Sequence, residues 1–568
     1  MKFLHLTVKQ LGALIAILII FLGLNIGSLL LPLRETLTYD EDYHYHAGYA
    51  VLTGKAAQWG REDLSQRNVI PAMAINTLTG MYLNKIFPRI VSVPESIAGS
   101  NVVFLAKLAT IFISTILAIY IFIWSRELYG LPSAFLAIGL YILEPNIIAH
   151  SRLVTQDLWG TASVFIAVYY FWKYLQCRTL RNASLSIIFF ALAQVSRFTS
   201  VYLIPIYLIL GLSFFKPYIS KFLGKINIYA FSRGLKKLSL YMIFLIITTT
   251  LIINLGFSFE RSFTPLKDYQ FTSKTFTKLQ ENPILKSLPV PLPYAYLQGL
   301  DMGQSKQESG FGSGSSYLLG EIGFTKGKLH GFLDYYAIAF LFKVPISLQI
   351  FIFLGLSSLF FYRKELNIWQ NESFLLLPVF IYSLSFSLMN AQLGIRYILM
   401  IFPFLIILAA RSVLMWHEHR RRYKIFVVVL FIYLLLSNLS YFPHYISYFN
   451  ELVTNRTMSY KVLADSNLDW GQNKIYLQDY MKKHPDSALV TVESGKMVLK
   501  RGEETINTDE KPIKRLIIEA NQLVGITTAP EFFKWWRESK TPIDNVAYSY
   551  LVYEHNSAAE KELIRWLD

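Results

Sequence analysis

Asp40, Glu41 and Asp42 stand in a row, with His44 and His46 two and four residues further on. A carboxylate can take a proton from a hydroxyl, and paired carboxylates can push one pKa into a useful range. Further along, EPNIIAHSRLVTQD brings Glu144, His150, Arg152 and Asp157, and Arg197 interrupts an apolar stretch. Lys343 precedes Pro345 in FKVP, Arg396 lies in NAQLGIRYIL, and DSNLDWGQ supplies Asp465 and Asp469. Arginines neutralise phosphate through forked, charge-assisted hydrogen bonds. Acids that activate a nucleophile and cations that hold a phosphate suit transfer of a group away from a lipid phosphate. A nearby carboxylate also stabilises the oxocarbenium-like state of glycosyl transfer.

Each of these residues has a plainer use. Asp40 and Asp157 are good helix caps, and Arg197, Arg396 and Lys343 can snorkel to headgroups. Asp465 and Asp469 suit a turn, and His417 and His419 a solvated basic cluster. His44, His46 and His150 with Asp40 or Asp157 would also suit a divalent metal ion, although no spacing fixes such a site.

The elements that must hold these side chains follow from hydropathy. The 568 residues are 53% hydrophobic and 16% charged, against about 25% charged in a soluble domain. The single cysteine, Cys177, excludes an internal disulfide framework. A net charge of +16 would suit a nucleic-acid partner in a soluble protein. Here the basic residues fall mostly in short loops between apolar runs, the positive-inside pattern, and no nucleic acid is expected.

Runs of about 20 apolar residues span a bilayer as helices. The chain has such runs at 11–33, 101–124, 131–149, 157–175, two within 183–215, and 238–257, 336–361, 373–390, 397–416 and 424–442. About eleven crossings are expected, with the N-terminus cytoplasmic and the first run an uncleaved anchor. Residues 54–98 read as interfacial helices of the first outer loop, and 258–333 as a long outer loop with a flexible SGFGSGSS segment. Residues 1–442 then form the membrane domain. Residues 443–568 mix short apolar runs with amphipathic stretches and read as a small α/β domain outside the membrane. In this topology the acids and arginines gather at the outer face of a multi-pass protein of the plasma (inner) membrane.

The motifs TYDEDYHYHAGYAVLTGK, EPNIIAHSRLVTQD, SRFTS, SYLLGEIG…YYAIAFLFKVP, GIRYILMIFPF and YFNELV…DSNLDWGQ run in this order along nearly the whole chain. They resemble successive signatures of the GT-C membrane glycosyltransferases. The branch resembled is the phospholipid-carrier-dependent one, related to protein O-mannosyltransferases and lipid A aminoarabinose transferase. The resemblance implies a GT-C fold, a polyprenyl-phosphate-linked sugar donor and an inverting transfer, outside the cytoplasm, to an acceptor hydroxyl on protein, lipid or glycan. It also implies Asp40 as catalytic base, Glu41 as its acidic companion and Asp157 as a second acidic position. Arg197 stands where relatives usually carry lysine, and Arg396 matches the basic residue of a G-(I/V)-R-(Y/H) signature. Both are expected on the donor phosphate, with Lys343 nearby, while His44, His46, His150 and Arg152 are substrate or metal contacts. A transporter of polyprenyl or sugar lipids is the alternative. It would carry its charges near the midplane and show repeated halves, and no repeat is visible in the sequence.

Overall fold

The computed structural model describes residues 6–30, 35–59, 68–88, 101–212, 228–309, 316–325, 328–361, 370–417, 420–502, 504–506 and 513–556. Its first half is helical: α1 (Val8–Leu30), α2 (Tyr39–Leu52), α3 (Met73–Ile86), α4 (Asn101–Tyr129), α5 (Leu131–Ile142), α6 (Pro145–Ser151), α7 (Gln156–Gln176), α8 (Leu180–Gln194), α9 (Leu203–Leu212) and α10 (Ile228–Gly256). A segment with α11 (Lys274–Glu281), α12 (Tyr294–Ser309) and two small hairpins, β1–β2 (Tyr317–Leu318, Glu321–Ile322) and β3–β4 (Phe324–Thr325, Lys328–Leu329), leads back to helices. These are α13 (Tyr335–Lys343), α14 (Ile346–Phe361), α15 (Ser373–Ser387), a tight helix Ile395–Ile401 running into α16 (Phe402–Ala410), and α17 (Arg420–Leu439).

A backbone in hydrocarbon must satisfy its own hydrogen bonds, which is why such apolar runs become helices. Among the described residues, five helices are long and apolar enough to cross a membrane, or seven if each of two bent pairs is one span. The chain is a polytopic helical membrane protein. Of the other expected crossings, Leu180–Gln194, Phe198–Leu212 and Ser373–Ser387 are shorter apolar helices, and 157–175 lies in the 21-residue α7.

Two of the crossings expected from the sequence, 131–149 and 336–361, are bent. α5 and α6 meet at 64°, and α13 and α14 at 114°. Pro145 and Pro345 lie at the breaks, where proline disfavours a helical conformation in the residue before it. At the first break Glu144 caps α6, accepting from the Ile147 N–H and the Asn146 amide, each at 2.6 Å.

Beyond α17 lie α18 (Lys474–Lys483) and a six-stranded sheet with the order β7-β6-β5-β8-β10-β9. Its strands are β5 (Ser487–Glu493), β6 (Lys496–Arg501), β7 (Glu504–Thr505), β8 (Arg515–Glu519), β9 (Asp544–Val546) and β10 (Tyr550–Glu554), with α19 (Ala520–Val524) and α20 (Lys534–Ser539) between β8 and β9. β5 and β8 pair in parallel and the other neighbours antiparallel. Strand alternation splits the sheet's faces. Val490, Leu516 and Ile518 join the core that runs through the helices, while Ile517 and Val552 pack with Leu477 and Met481 of α18. The apolar run 546–553 is divided between β9 and β10 by Ala547 and Tyr548, both with positive φ (51° and 62°).

Gly310, Gly312 and Gly314, the loop lysines 216, 221 and 225, Arg363 and Lys364, His419, residues 60–67 and 89–98 of the first outer loop, and the amphipathic stretch 558–567 lie outside the described residues.

Candidate active site

α2 begins with the pattern Thr38-x-x-Glu41, the sequence of a capping box. The Thr38 N–H donates to Glu41 Oε2 at 2.8 Å. Glu41 is spoken for on every side: it accepts from the Val154 N–H at 2.9 Å and pairs with Lys107 of α4 at 3.1 Å, both side chains sealed from solvent. One residue earlier, a 100° rotation around the helix turns Asp40 elsewhere. Its Oδ2 meets Arg396 Nη1 at 3.0 Å, and the Asp40 side chain keeps 39% of its surface exposed. The expected acidic pair therefore splits into an open carboxylate and a buried strut.

Asp157 sits in the first turn of α7, where a negative charge suits the helix N-terminus. Trp159 of the same helix donates to Asn76 Oδ1 at 2.8 Å, and Asn76 donates to Ala106 O and Thr110 Oγ1 of α4. This fixes α7 against α3 and α4. Asp157 Oδ1 lies 2.7 Å from Arg197 Nη1, and both side chains are buried. Arg197 occupies the break between α8 and the turn that leads into α9. Its side chain crosses α7 at Gly160, where an added Cβ would sit 2.8 Å from Arg197 Cβ and Cδ.

Arg396 and Arg197 flank one aromatic ring. Their Cζ atoms lie 5.5 and 5.4 Å from the centroid of Tyr397. The Arg396 guanidinium also stacks on Trp470 at 3.9 Å, an arrangement that Arg's planar, weakly hydrated head favours. The DSNLDWGQ signature supplies more than this ring. Asn467 Oδ1 accepts from the Ile395 N–H at 2.9 Å, and its amide donates to Tyr335 Oη at 3.0 Å. Tyr335 Oη in turn accepts from the Gly394 N–H at 3.0 Å. Both Ser466 Oγ and Arg396 Nε donate to Leu393 O. Gly394 turns the chain there with φ +84°, and its Cβ would come within 2.6 Å of Ser466 Oγ. Residues 464–470 thus hold the corner that aims Arg396. The sequence shows the motif, but not this role, because a side chain bonding a distant backbone leaves no periodic signal.

The same segment is tied to the start of α2. The Thr36 and Tyr39 N–H groups donate to Gln472 O and Trp470 O at 2.7 and 3.0 Å. Asp465 is half-buried near Arg396 and Asp40, and desolvation pushes its carboxyl up to about 6. Asp469, buried, and Glu519, half-buried at the end of the inner strand β8, are both held above the usual carboxylate range by desolvation.

Other expected site residues go elsewhere. Lys343 is buried and donates to Ile446 O at 2.8 Å and Asn467 O at 2.6 Å. Arg152 pairs with Glu35 at 2.9 Å and donates to Pro443 O at 2.6 Å. Both cations brace the backbone around the site. His46 lies on the exposed face of α2, 3.6 Å from Asp42. His44 and His150 do turn to the cluster. Asp40, Asp157, Arg396 and Glu41 set the field at His44, and Asp157, Arg396, Lys343 and Arg197 that at His150. Burial holds the His44 imidazole below its ordinary pKa. Among the described residues no three His, Cys, Asp or Glu side chains converge as a metal site.

Tyr336, Tyr397 and Trp470 are the residues that sequence reasoning leaves out. Tyr336 Oη is buried without a hydrogen-bond partner in the field of Arg197 and Arg396. Its signal was the Tyr-Tyr pair directly before the apolar run that ends in FKVP.

Residues 87–253 match the family model for dolichyl-phosphate-mannose-protein mannosyltransferase. The match takes in the segments of Asp157 and Arg197 but neither Asp40 nor Arg396. It agrees with the family resemblance that the motifs carry. The crystal structure of ArnT from Cupriavidus metallidurans bound to undecaprenyl phosphate aligns over 96% of this chain and 99% of that one, with 11% identity and a TM-score of 0.42. None of the curated proteins matches the chain.

Proposed function

We propose that this chain is a membrane glycosyltransferase that moves a sugar from a polyprenyl-phosphate carrier to an acceptor hydroxyl, with inversion, on the extracytoplasmic side of the plasma (inner) membrane. The observation that carries the reading is the pairing of an open carboxylate with a stacked arginine, Asp40 with Arg396, beside a second acid–arginine pair, Asp157 with Arg197. Asp40 keeps 39% of its side chain exposed, whereas Glu41 beside it is sealed.

The acceptor oxygen attacks the anomeric carbon as the bond from that carbon to the phosphate oxygen breaks. The hydroxyl proton goes to Asp40, and the bonding electrons leave with the phosphate. Attack from the side opposite the leaving group inverts the configuration. The donor phosphodiester, with one negative charge, becomes a phosphate monoester with two. Asp40 loses its charge in the same step, so Arg396 is freed from one anion as another forms. Arg197, braced by Asp157, is the second cation for that phosphate. Glu41, Lys343 and Arg152 are positioning residues in this reading, and the sheet of residues 487–554 lies outside the membrane.

The test is transfer by the purified full-length protein in detergent, where no compartment exists to transport across. With a donor of undecaprenyl phosphate bearing a radiolabelled sugar and a crude acceptor extract, wild-type protein should release undecaprenyl phosphate and label the acceptor. Asp40→Asn should do neither. An intact donor after prolonged incubation with folded wild-type protein would overturn the reading in favour of transport.

A further inference from the structure

Among the described residues, the buried polar atoms of the outer cluster without a hydrogen-bond partner include Nδ1 of His44, Nδ1 of His150 and Oδ2 of Asp157, beside Tyr336 Oη. The first three side chains come from three different elements, α2, α6 and α7, and the residues are only 5%, 2% and 3% exposed. Buried polar groups are almost always paired, so three orphans in one electrostatic neighbourhood call for a ligand that supplies the partners. Asp157 acts on both histidines, and so does Arg396. The phosphate chemistry proposed above uses none of the three atoms.

The charges around them say which ligand. Asp40, Glu41 and Asp157 each already face a cation, in Arg396, Lys107 and Arg197, and Asp465, whose carboxyl desolvation pushes up to about 6, shares Arg396 with Asp40. What remains open is hydrogen bonding: imidazole nitrogens that donate or accept according to tautomer, and a carboxylate oxygen that accepts. A sugar hydroxyl does both. An ammonium or carboxylate on the sugar would bring an unmatched charge into a buried site, which is costly. We infer that His44, His150 and Oδ2 of Asp157 form the subsite for the transferred sugar, and that this sugar is uncharged and bears several hydroxyls. The inference rests on the donor reading of the site and adds which residues grip the sugar and which class of sugar they admit.

Binding of three lipids to the full chain in nanodiscs separates the two claims. The probes are undecaprenyl phosphate, its glucosyl phosphodiester and its glucosaminyl phosphodiester. Wild-type protein should bind the glucosyl lipid at least ten-fold tighter than the sugar-free phosphate, and the glucosaminyl lipid more weakly than the glucosyl one. His44→Ala and His150→Ala should each erase most of the glucosyl advantage while changing affinity for undecaprenyl phosphate less than two-fold. His44→Gln, which keeps a hydrogen-bonding group, should restore part of it. An advantage that survives both alanine variants, or tightest binding of the amino sugar, would overturn the subsite. Absence of wild-type binding to undecaprenyl phosphate would instead bring down the donor reading itself, and the subsite with it. Unchanged thermal unfolding of the variants guards against a folding defect, and loss of sugar-free binding as well would count as one against the inference.

Discussion

The span Ile395–Met415 carries an arginine towards each end, and the two are treated differently. Arg396 meets a carboxylate that is 39% exposed and rests on the face of Trp470. Arg411 faces Glu372 at 3.7 Å with both side chains at most 3% exposed, donates to Ser358 Oγ at 2.8 Å and lies near the Tyr129 ring. The second pair joins α14, α15 and the C-terminal end of α4 to the span, sealed from solvent. The first can change partners. The residue types are nearly the same at both ends, so function follows from which pair solvent and substrate can enter.

Substitutions can break this contrast. Asp40→Asn keeps the shape but removes the base, and transfer should fall by about three orders of magnitude or more, with insertion and unfolding temperature close to wild type; turnover assays on the folded protein measure it. Arg396→Ala should lower kcat/KM for the lipid donor by about 10²–10³. Arg396→Lys should recover only part, since lysine lacks the fork and the stacking plane; equal activity of Lys and Arg would contradict the proposed contact. Asn467→Ala loosens the corner that aims Arg396, and a milder loss, roughly ten-fold in kcat, should appear with little change in donor KM.

The inner pair should behave in the opposite way. Arg411→Met leaves Glu372 buried without its cation and should cost about 3–5 kcal/mol of stability, read from denaturation in detergent, while activity per folded molecule stays within about two-fold. Replacing both Arg411→Met and Glu372→Gln should return most of that stability. The corresponding outer double variant should stay folded and inactive.

The smallest effect concerns pH. Burial raises the carboxyls of Asp469 and Glu519 at the junction between residues 469–471 and β8. Acids whose folded pKa lies above the unfolded value favour the folded state at pH below about 4. That contribution is lost as pH rises through the elevated folded value. Raising pH from 5 to 9 should therefore lower the unfolding temperature modestly, and Glu519→Gln should flatten the trend.

Asp40, Asp157, Arg197 and Arg396 stand out in the sequence because each interrupts or borders an apolar run, where a charge needs a reason, and the fold brings them into two ion pairs. The division of labour between Asp40 and Glu41 is not legible there. It depends on Lys107, a cation within α4 that selects one of two neighbouring acids. That lysine stood alone in the run 101–124 and itself asked for a partner. Lys343 shows the complementary limit: its partners are two backbone carbonyls, Ile446 O and Asn467 O, which side-chain identities never announce. The bends after α5 and α13 were written in Pro145 and Pro345, but the apolar runs continue through both and hide them.

The bonds from Thr36 and Tyr39 to Gln472 and Trp470 bear on how the protein is made. Asp40 leaves the ribosome more than 400 residues before the segment that orients its arginine. At about 5–20 residues per second, the nascent chain waits roughly twenty seconds to a minute and a half with an unfinished catalytic centre. A polypeptide released early, anywhere before Trp470, would be inserted yet inert, so truncated products could not consume the carrier lipid.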